Sequence, residues 1–294
     1  MYFASNTAFS PWRPTAWLRV SGSDALTFLQ GQFTNDLRKS MAKDAVYGLW
    51  LNQKGKVVAD SFVVPDATGE AFWVGSYFCP AVVIRERLES CLIADEVTVD
   101  DDTAAWEAVT IFGTADREAM RMKVPQCLVF SGRRDLAVHH EWIFPAAARA
   151  EVLACLAGLP ELTEAEIQLR RVRAGIPAIP ADIGPGELPN EGGLDAGAIS
   201  YTKGCYLGQE VMARLKSMGQ VRRRLQRVAI TGPVPPLPAA LYAGGRQVGE
   251  LRSAVATEEG GEGLALLTLL NLPAKVELSL APEAAPTLRR LDPS

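Results

Sequence analysis

Two histidines, no CxxC pair and no long apolar run are scarcities that narrow what this 294-residue chain can be. No stretch reaches the roughly 18 to 20 consecutive apolar residues that a membrane-spanning helix needs. The start, MYFASNTAFSPW, lacks a basic segment followed by an apolar one, so a cytoplasmic location without membrane contact is expected. The five cysteines (Cys79, Cys91, Cys127, Cys155 and Cys205) are odd in number and scattered. That argues against a disulfide framework and against a structural zinc site. His139 and His140 are adjacent in an apparent strand, where they would face opposite sides, so neither a histidine triad nor a metal site is expected. The phosphate loops GxxxxGK[ST] and GxGxxG are both missing. A net charge of −4 gives no general affinity for nucleic acid.

What is present is an ordinary globular composition, 48% hydrophobic and 22% charged, at a length where single cores tend to divide into two units. WLRV reads as a strand before a helix that Ser23 would cap, with Leu26, Leu29, Phe33 and Leu37 on one face. VYGLWL and KVVADSFVV flank NQKG as a β-hairpin, AFWVG adds a strand, and Pro80 opens a helix over 80–93. VTIFG, CLVFSG and LAVHHEWIF read as strands, with short helices over 115–123 and before Gly158. Asp100, Asp101 and Asp102 read as a solvated turn. Thr163 and Glu166 form a capping box for a helix that runs to Gly175. Strands and helices mix without steady βαβ alternation, so the expected class is α+β. A Pro- and Gly-rich loop over 176–198 leads to a helix in GQEVMARLKS. Beyond Gln220, short apolar runs broken by Gly and Pro suggest a small β-barrel. The expected units are therefore residues 1–220 and 221–294.

One stretch carries chemistry. YTKGCYLGQE, residues 201–210, sets Cys205 between Gly204 and Gly208, two residues after Lys203. A thiolate is the reactive form, and a nearby ammonium with the positive end of a helix starting near Gly208 would favour it. The ordinary alternative is a buried cysteine acting as a small hydrophobe, with Glu210 and Arg214 as a helix-stabilising pair. Seven basic residues against one acid over 201–227 make a local basic zone, suited to an anionic ligand or simply a solvated face.

KGCYLGQE, Lys203 to Glu210, resembles the signature of the YgfZ family, which is related to the glycine-cleavage T-protein aminomethyltransferases. LPNEGGLDAGAISYT, SGSDALTFLQGQFTND, LNQKGKVVAD and GGRQVGELRSA are similar to further family segments, so the resemblance covers most of the chain. It implies a T-protein-like, tetrahydrofolate-binding body followed by a small β-barrel. It also implies a role in making or repairing the iron-sulfur clusters of client enzymes, including radical-SAM enzymes that modify tRNA. The expected partners are those clients or assembly proteins, with a tetrahydrofolate as the small-molecule cofactor.

Cys205 is then the expected working thiol. Lys203, Gly204, Tyr206, Gly208, Gln209 and Glu210 would tune it, order its loop or meet the ligand, while Asp60 and Asp195 would line the folate cavity. Folate carboxylates could be met by Lys203, Arg214 or the Arg222 to Arg224 run. The alternative is a tetrahydrofolate-dependent aminomethyltransferase. T-proteins, however, usually carry an acid where Arg173 stands, and an acidic pair where this chain has Ala59 and Asp60. A guanidinium only donates hydrogen bonds and cannot replace that acid against a pterin edge. A nucleic-acid-binding module is a third possibility, but no aromatic residue interleaves the basic ones over 211–230.

Overall fold

The computed structural model describes residues 7–38, 45–66, 68–114, 123–219, 221–270, 272–273 and 275–291. Among these residues the strands form three antiparallel sheets. The first is built from β2 (Ala16–Ser21), β3 (Val46–Leu51), β4 (Val57–Pro65), β5 (Ala71–Ser76) and β6 (Thr98–Asp101), in the order β3-β4-β5-β2-β6. The second is β1-β7-β9-β8, from β1 (Ala8–Trp12), β7 (Trp106–Phe112), β8 (Leu128–Ser131) and β9 (His139–Pro145).

These two sheets face each other across an aromatic layer. Trp17 stacks on Trp73 with ring centroids 5.7 Å apart, Trp73 meets Trp106 at 4.7 Å, and Phe62 meets Phe130 at 5.1 Å. Helices α1 (Ala25–Gln32) and α2 (Ala81–Glu89) cover the outer face of the first sheet through Phe28, Leu29, Ile84 and Leu88. Helix α3 (Arg149–Cys155) covers the outer face of the second through Val152. The inner strands of these sheets can thus be apolar on both faces, which is why their runs read as nearly continuous hydrophobes rather than alternating ones.

The capping box at Thr163 and Glu166 is present, with both reciprocal bonds, and starts α4 (Glu164–Arg173). Ser23 does not cap α1. Asp24 holds that position without a side-chain bond to the helix, its Oδ2 accepting instead from the Glu96 N–H at 2.9 Å, and Ser23 Oγ donates to Glu96 Oε2 at 2.9 Å. Phe33 and Leu37 lie past the end of α1 but remain buried. Asp100 and Asp101 do not form a turn. They belong to edge strand β6, where exposed carboxylates discourage further strand pairing. Strand β1 carries Pro11 and is likewise an edge, the place in a sheet that tolerates proline. The helix expected over 115–123 lies outside the described residues except for Lys123, and Gln220 lies outside them as well.

The proline- and glycine-rich segment after α4 is ordered by buried charge. Arg171 Nη1 donates to Asp182 Oδ2 at 2.7 Å and to the carbonyl of Ile176 at 2.8 Å, while its Nη2 reaches Ser253 Oγ at 3.0 Å. Asp182 is fully buried and also accepts the Ala178 N–H at 2.7 Å. One guanidinium thereby fastens helix, loop and the last sheet together. A 3-10 turn, Pro189–Gly192, follows, and then α5 (Gln209–Met218).

The third sheet is β11-β12-β13-β10-β15-β14, from β10 (Arg223–Ile230), β11 (Ala239–Ala243), β12 (Arg246–Thr257), β13 (Gly260–Thr268), β14 (Glu277–Leu278) and β15 (Leu288–Arg290). Tyr242 and Ser279 exchange two backbone hydrogen bonds of 2.9 Å, which brings its edges together into a nearly closed barrel around Val228, Leu241, Leu251 and Leu267. The architecture is the α+β body and C-terminal β-barrel that the sequence leads one to expect.

Candidate functional site

The segment 197–208 is held at both ends. On one side it is sewn to the carboxyl end of α1. Thr34 Oγ1 donates to the Ala198 carbonyl at 2.7 Å, Asn35 Nδ2 to the Gly197 carbonyl at 3.2 Å, and the Ser200 N–H to the Thr34 carbonyl at 3.0 Å. Lys203 completes this seam. Its Nζ donates to the carbonyls of Gln30, Phe33 and Asn35 at 2.7, 2.6 and 2.9 Å. These are carbonyls at or just past a helix end, short of intrahelical donors and at the negative pole of the helix, so a lysine ammonium suits them. Burial nevertheless lowers the Lys203 pKa to about 8, with Asp36 opposing the shift and Arg38 adding to it.

On the other side the segment rests on the tip of the β3–β4 hairpin. Gly208 sits at φ +86°, and a Cβ there would stand 3.1 Å from the Asn52 carbonyl oxygen and 3.2 Å from Gly55 Cα. Only glycine suits both the dihedral and the space. Gly208 is the N-cap of α5, whose Val211 and Met212 pack against Gly55. Tyr206 is buried beside Lys203, whose Nζ lies 5.3 Å from the ring centroid. Its hydroxyl is buried without a hydrogen-bond partner, and burial pushes its pKa up to about 12.

Cys205 is exposed between these two anchors. Gly204 beside it is also exposed, and a Cβ there would meet open space. Gln209 is half-buried at the first position of α5, its N–H donating to the Tyr206 carbonyl at 3.2 Å, and Glu210 is exposed. Lys203 is spent on the α1 carbonyls, which is a fastening role.

Asp60 belongs to a different place. It is buried in β4, where Oδ1 accepts from Ser76 Oγ at 2.8 Å and Oδ2 from Tyr47 hydroxyl at 3.0 Å. Burial raises its pKa, against the lowering effect of these bonds and of Arg133. Arg133 lies over the Tyr47 ring at 4.2 Å from its centroid. Asp195 is half-buried near Tyr201, whose pKa is raised by burial and by that carboxylate. The structure therefore gathers Lys203 to Glu210 into one loop and sets Asp60 in the aromatic interior.

Sequence reading missed Arg133 and what holds it. The Arg133 N–H donates to Tyr77 hydroxyl at 3.0 Å, and that hydroxyl donates to Glu141 Oε1 at 2.6 Å. Fully buried Glu141 also accepts from Trp12 Nε1 at 3.0 Å and Thr110 Oγ1 at 2.7 Å. Arg134 lies against both the Trp12 and Tyr77 rings, 4.4 and 4.1 Å from their centroids. The adjacent arginines after strand β8 were the available signal. Arg133 borders a cleft of about 450 Å3 between body and barrel, which Gly193, Arg224 and Arg227 also line. Among the described residues, no group of three or more His, Cys, Asp or Glu side chains is placed to hold a metal ion. No helix of the described residues is long and apolar enough to cross a membrane.

Comparison with known proteins agrees with this architecture. The family described as GCVT N-terminal domain matches residues 14–127, and the CAF17 C-terminal beta-barrel domain matches residues 222–289. The human protein named iron-sulfur cluster assembly factor IBA57, mitochondrial, is 29% identical over 272 residues, covering 85% of this chain and 74% of its own. The tRNA-modifying protein YgfZ of Escherichia coli O157:H7 is 28% identical over 295 residues, covering 86% and 87%. The crystal structure of glycine cleavage system aminomethyltransferase T from Bartonella henselae superposes with a TM-score of 0.76 over 97% of this chain and 85% of that one. At 14% identity it shows a shared fold. With a GCVT-type body, a CAF17-type barrel and a KGCYLGQE loop fastened to the body at both ends, the chain is similar over most of its length to the IBA57 and YgfZ proteins of the YgfZ/CAF17 family.

Proposed function

We propose that this protein acts in the assembly or repair of iron-sulfur clusters in client enzymes, tRNA-modifying radical-SAM enzymes among them, with a bound tetrahydrofolate and with Cys205 as the working thiol. The observation that carries the reading is the exposed Cys205 on a loop whose two ends are locked, by Lys203 to α1 and by Gly208 to the β3–β4 tip. A merely structural cysteine belongs in the core, as Cys79 does. The bare Gly204 leaves the thiol open to a partner protein or a cluster. The relatives whose printed names concern iron-sulfur assembly and tRNA modification cover most of the chain, which supports the same role.

A folate suits the junction on chemical grounds. The cleft of about 450 Å3 is of ligand size, and guanidinium groups at its edge answer a folate's carboxylates. Asp60, with Tyr47 and Ser76, supplies a buried hydrogen-bonding group next to Arg133. Bound there, a tetrahydrofolate would bring one-carbon and pterin redox chemistry. The chain's own part is to seat it and keep water from its inner end. Aminomethyl transfer is the weaker reading. Arg173, at the position where T-proteins usually have an acid, is committed to Glu262 Oε1 by bonds of 2.9 and 2.7 Å.

The test is rescue of iron-sulfur-dependent tRNA methylthiolation in bacteria lacking their own YgfZ. Rescue by the intact protein and not by Cys205→Ala supports both role and residue. Rescue by both keeps the role and removes the cysteine from it. If neither soluble protein rescues, the iron-sulfur role fails.

A further inference from the structure

The geometry points to the body–barrel cleft as a site for a chain of carboxylates, the oligo-γ-glutamyl tail of a folate, read by Arg133, Arg224 and Arg227. This deepens the folate reading given above and rests on it. Three guanidinium groups from two separate domains line one cleft of about 450 Å3, and no carboxylate lines it among the described residues. Like charges are not gathered this way for stability, since each repels the others.

Two of the three arginines are also incompletely satisfied. Arg133 Nη1 and Arg227 Nε are both buried with no hydrogen-bond partner, and a buried unpaired donor is costly unless something fills the site. Arg227 has only a long ion pair, 3.7 Å to Glu262, which is already bound by Arg173. Arg224 is exposed beside Gly193, with no carboxylate in ion-pair range among the described residues. Its neighbour Arg223 is different, because Glu191 and Glu187 hold it.

Placement supports a tail. Arg133 lines the cleft from the body, where it stands over Tyr47, while Arg224 and Arg227 line it from barrel strand β10. Its backbone is fixed through Tyr77 and Glu141, so the guanidinium is presented without the entropy loss of ordering a free loop. A ligand that carries several carboxylates can engage more than one of these guanidinium groups at once. Each additional contact that forms is a charge-assisted hydrogen bond.

Calorimetric titration of the full chain with tetrahydrofolate carrying one or five γ-linked glutamates, and with penta-γ-glutamate alone, tests this. The five-glutamate form should bind roughly tenfold tighter than the one-glutamate form at low salt, an advantage equal to one charge-assisted bond. That ratio should shrink as salt rises. In the Arg224→Gln and Arg227→Gln double variant, checked for unchanged thermal unfolding, it should fall toward one. Equal affinities in the wild type, or an undiminished ratio in the folded variant, overturns the inference and leaves the folate reading standing. If neither folate binds but penta-γ-glutamate does, and the double variant loses it, the carboxylate site stands and the folate reading falls. If none of the three ligands binds, both fall. Tripolyphosphate displacing penta-γ-glutamate at equal concentration would overturn the assignment to carboxylates.

Discussion

The ammonium of Lys203 lies 2.6 Å from the Phe33 carbonyl oxygen, tying the loop of Cys205 to the end of a helix 170 residues earlier in the chain. The contact makes α1 part of the site although no α1 side chain reaches the thiol loop through it. Lys203→Met keeps the aliphatic stem but leaves three carbonyls without their donor, and should cost about 1–3 kcal/mol in urea unfolding. The same variant should loosen the 201–207 segment, read as faster amide hydrogen exchange there. Unchanged exchange would mean that the loop holds its shape without the lysine.

Lys203 also gives stability a pH signature. Its folded pKa of about 8 lies below the usual lysine value of about 10.4. Between these values the unfolded chain binds the proton and the folded chain does not, so the contribution is greatest above the unfolded pKa and is lost as pH falls through about 8. The wild type should therefore gain stability relative to Lys203→Met from pH 8 to 10. A difference that stays flat over that range would show the ammonium to be fully compensated.

Thiol accessibility should single out one cysteine. Cys205 is exposed, Cys91 and Cys155 are half-buried, and Cys79 and Cys127 are buried, with burial and Asp60 pushing Cys79 to about 12. In the native protein one of the five thiols should react rapidly with an aromatic disulfide, and Cys205→Ala should abolish that fast phase. A fast phase that survives the substitution would move the reactive thiol elsewhere.

Asp60→Asn should be tolerated by the fold. Burial raises the Asp60 pKa, so its stabilising contribution is present below the unfolded carboxyl pKa and declines as pH rises through the folded one. At neutral pH the amide should thus cost under about 1 kcal/mol, and Asp60→Ala about 1–3 kcal/mol because Tyr47 and Ser76 lose their acceptor. Loss of tetrahydrofolate binding in the folded Asn variant would place the carboxylate at the ligand. Retained binding would make Asp60 structural.

The Arg171–Asp182 pair should be the most sensitive point of the long loop. Asp182→Ala leaves a buried guanidinium uncompensated and should cost about 3–5 kcal/mol by chemical denaturation. Replacing both with apolar residues of similar volume should recover much of that loss. A small effect of Asp182→Ala would show that Ile176 and Ser253 suffice to hold the arginine.

Local patterns were legible in the sequence. The NQKG hairpin, the Thr163 and Glu166 capping box, the mixed strand and helix order and the short-strand texture of the barrel rest on interactions within a few residues, so spacing alone reveals them. The edge strands at Ala8–Trp12 and Thr98–Asp101 were not legible. Pro11 and the aspartates mark turns in isolation, and only neighbours distant in sequence turn them into sheet edges. The KGCYLGQE motif was plain as a motif, but whether its lysine faces the thiol or the core depends on where the end of α1 comes to lie. The sequence by itself determined most of the local elements, the α+β class with its terminal barrel, and the kinship of the cysteine loop. Only the tertiary structure decided that Lys203 is a fastener, that Asp60 is buried away from that loop, and that Arg133 meets Arg224 and Arg227 across one cleft. Each of these joins residues far apart in the chain, through packing that no local spacing encodes.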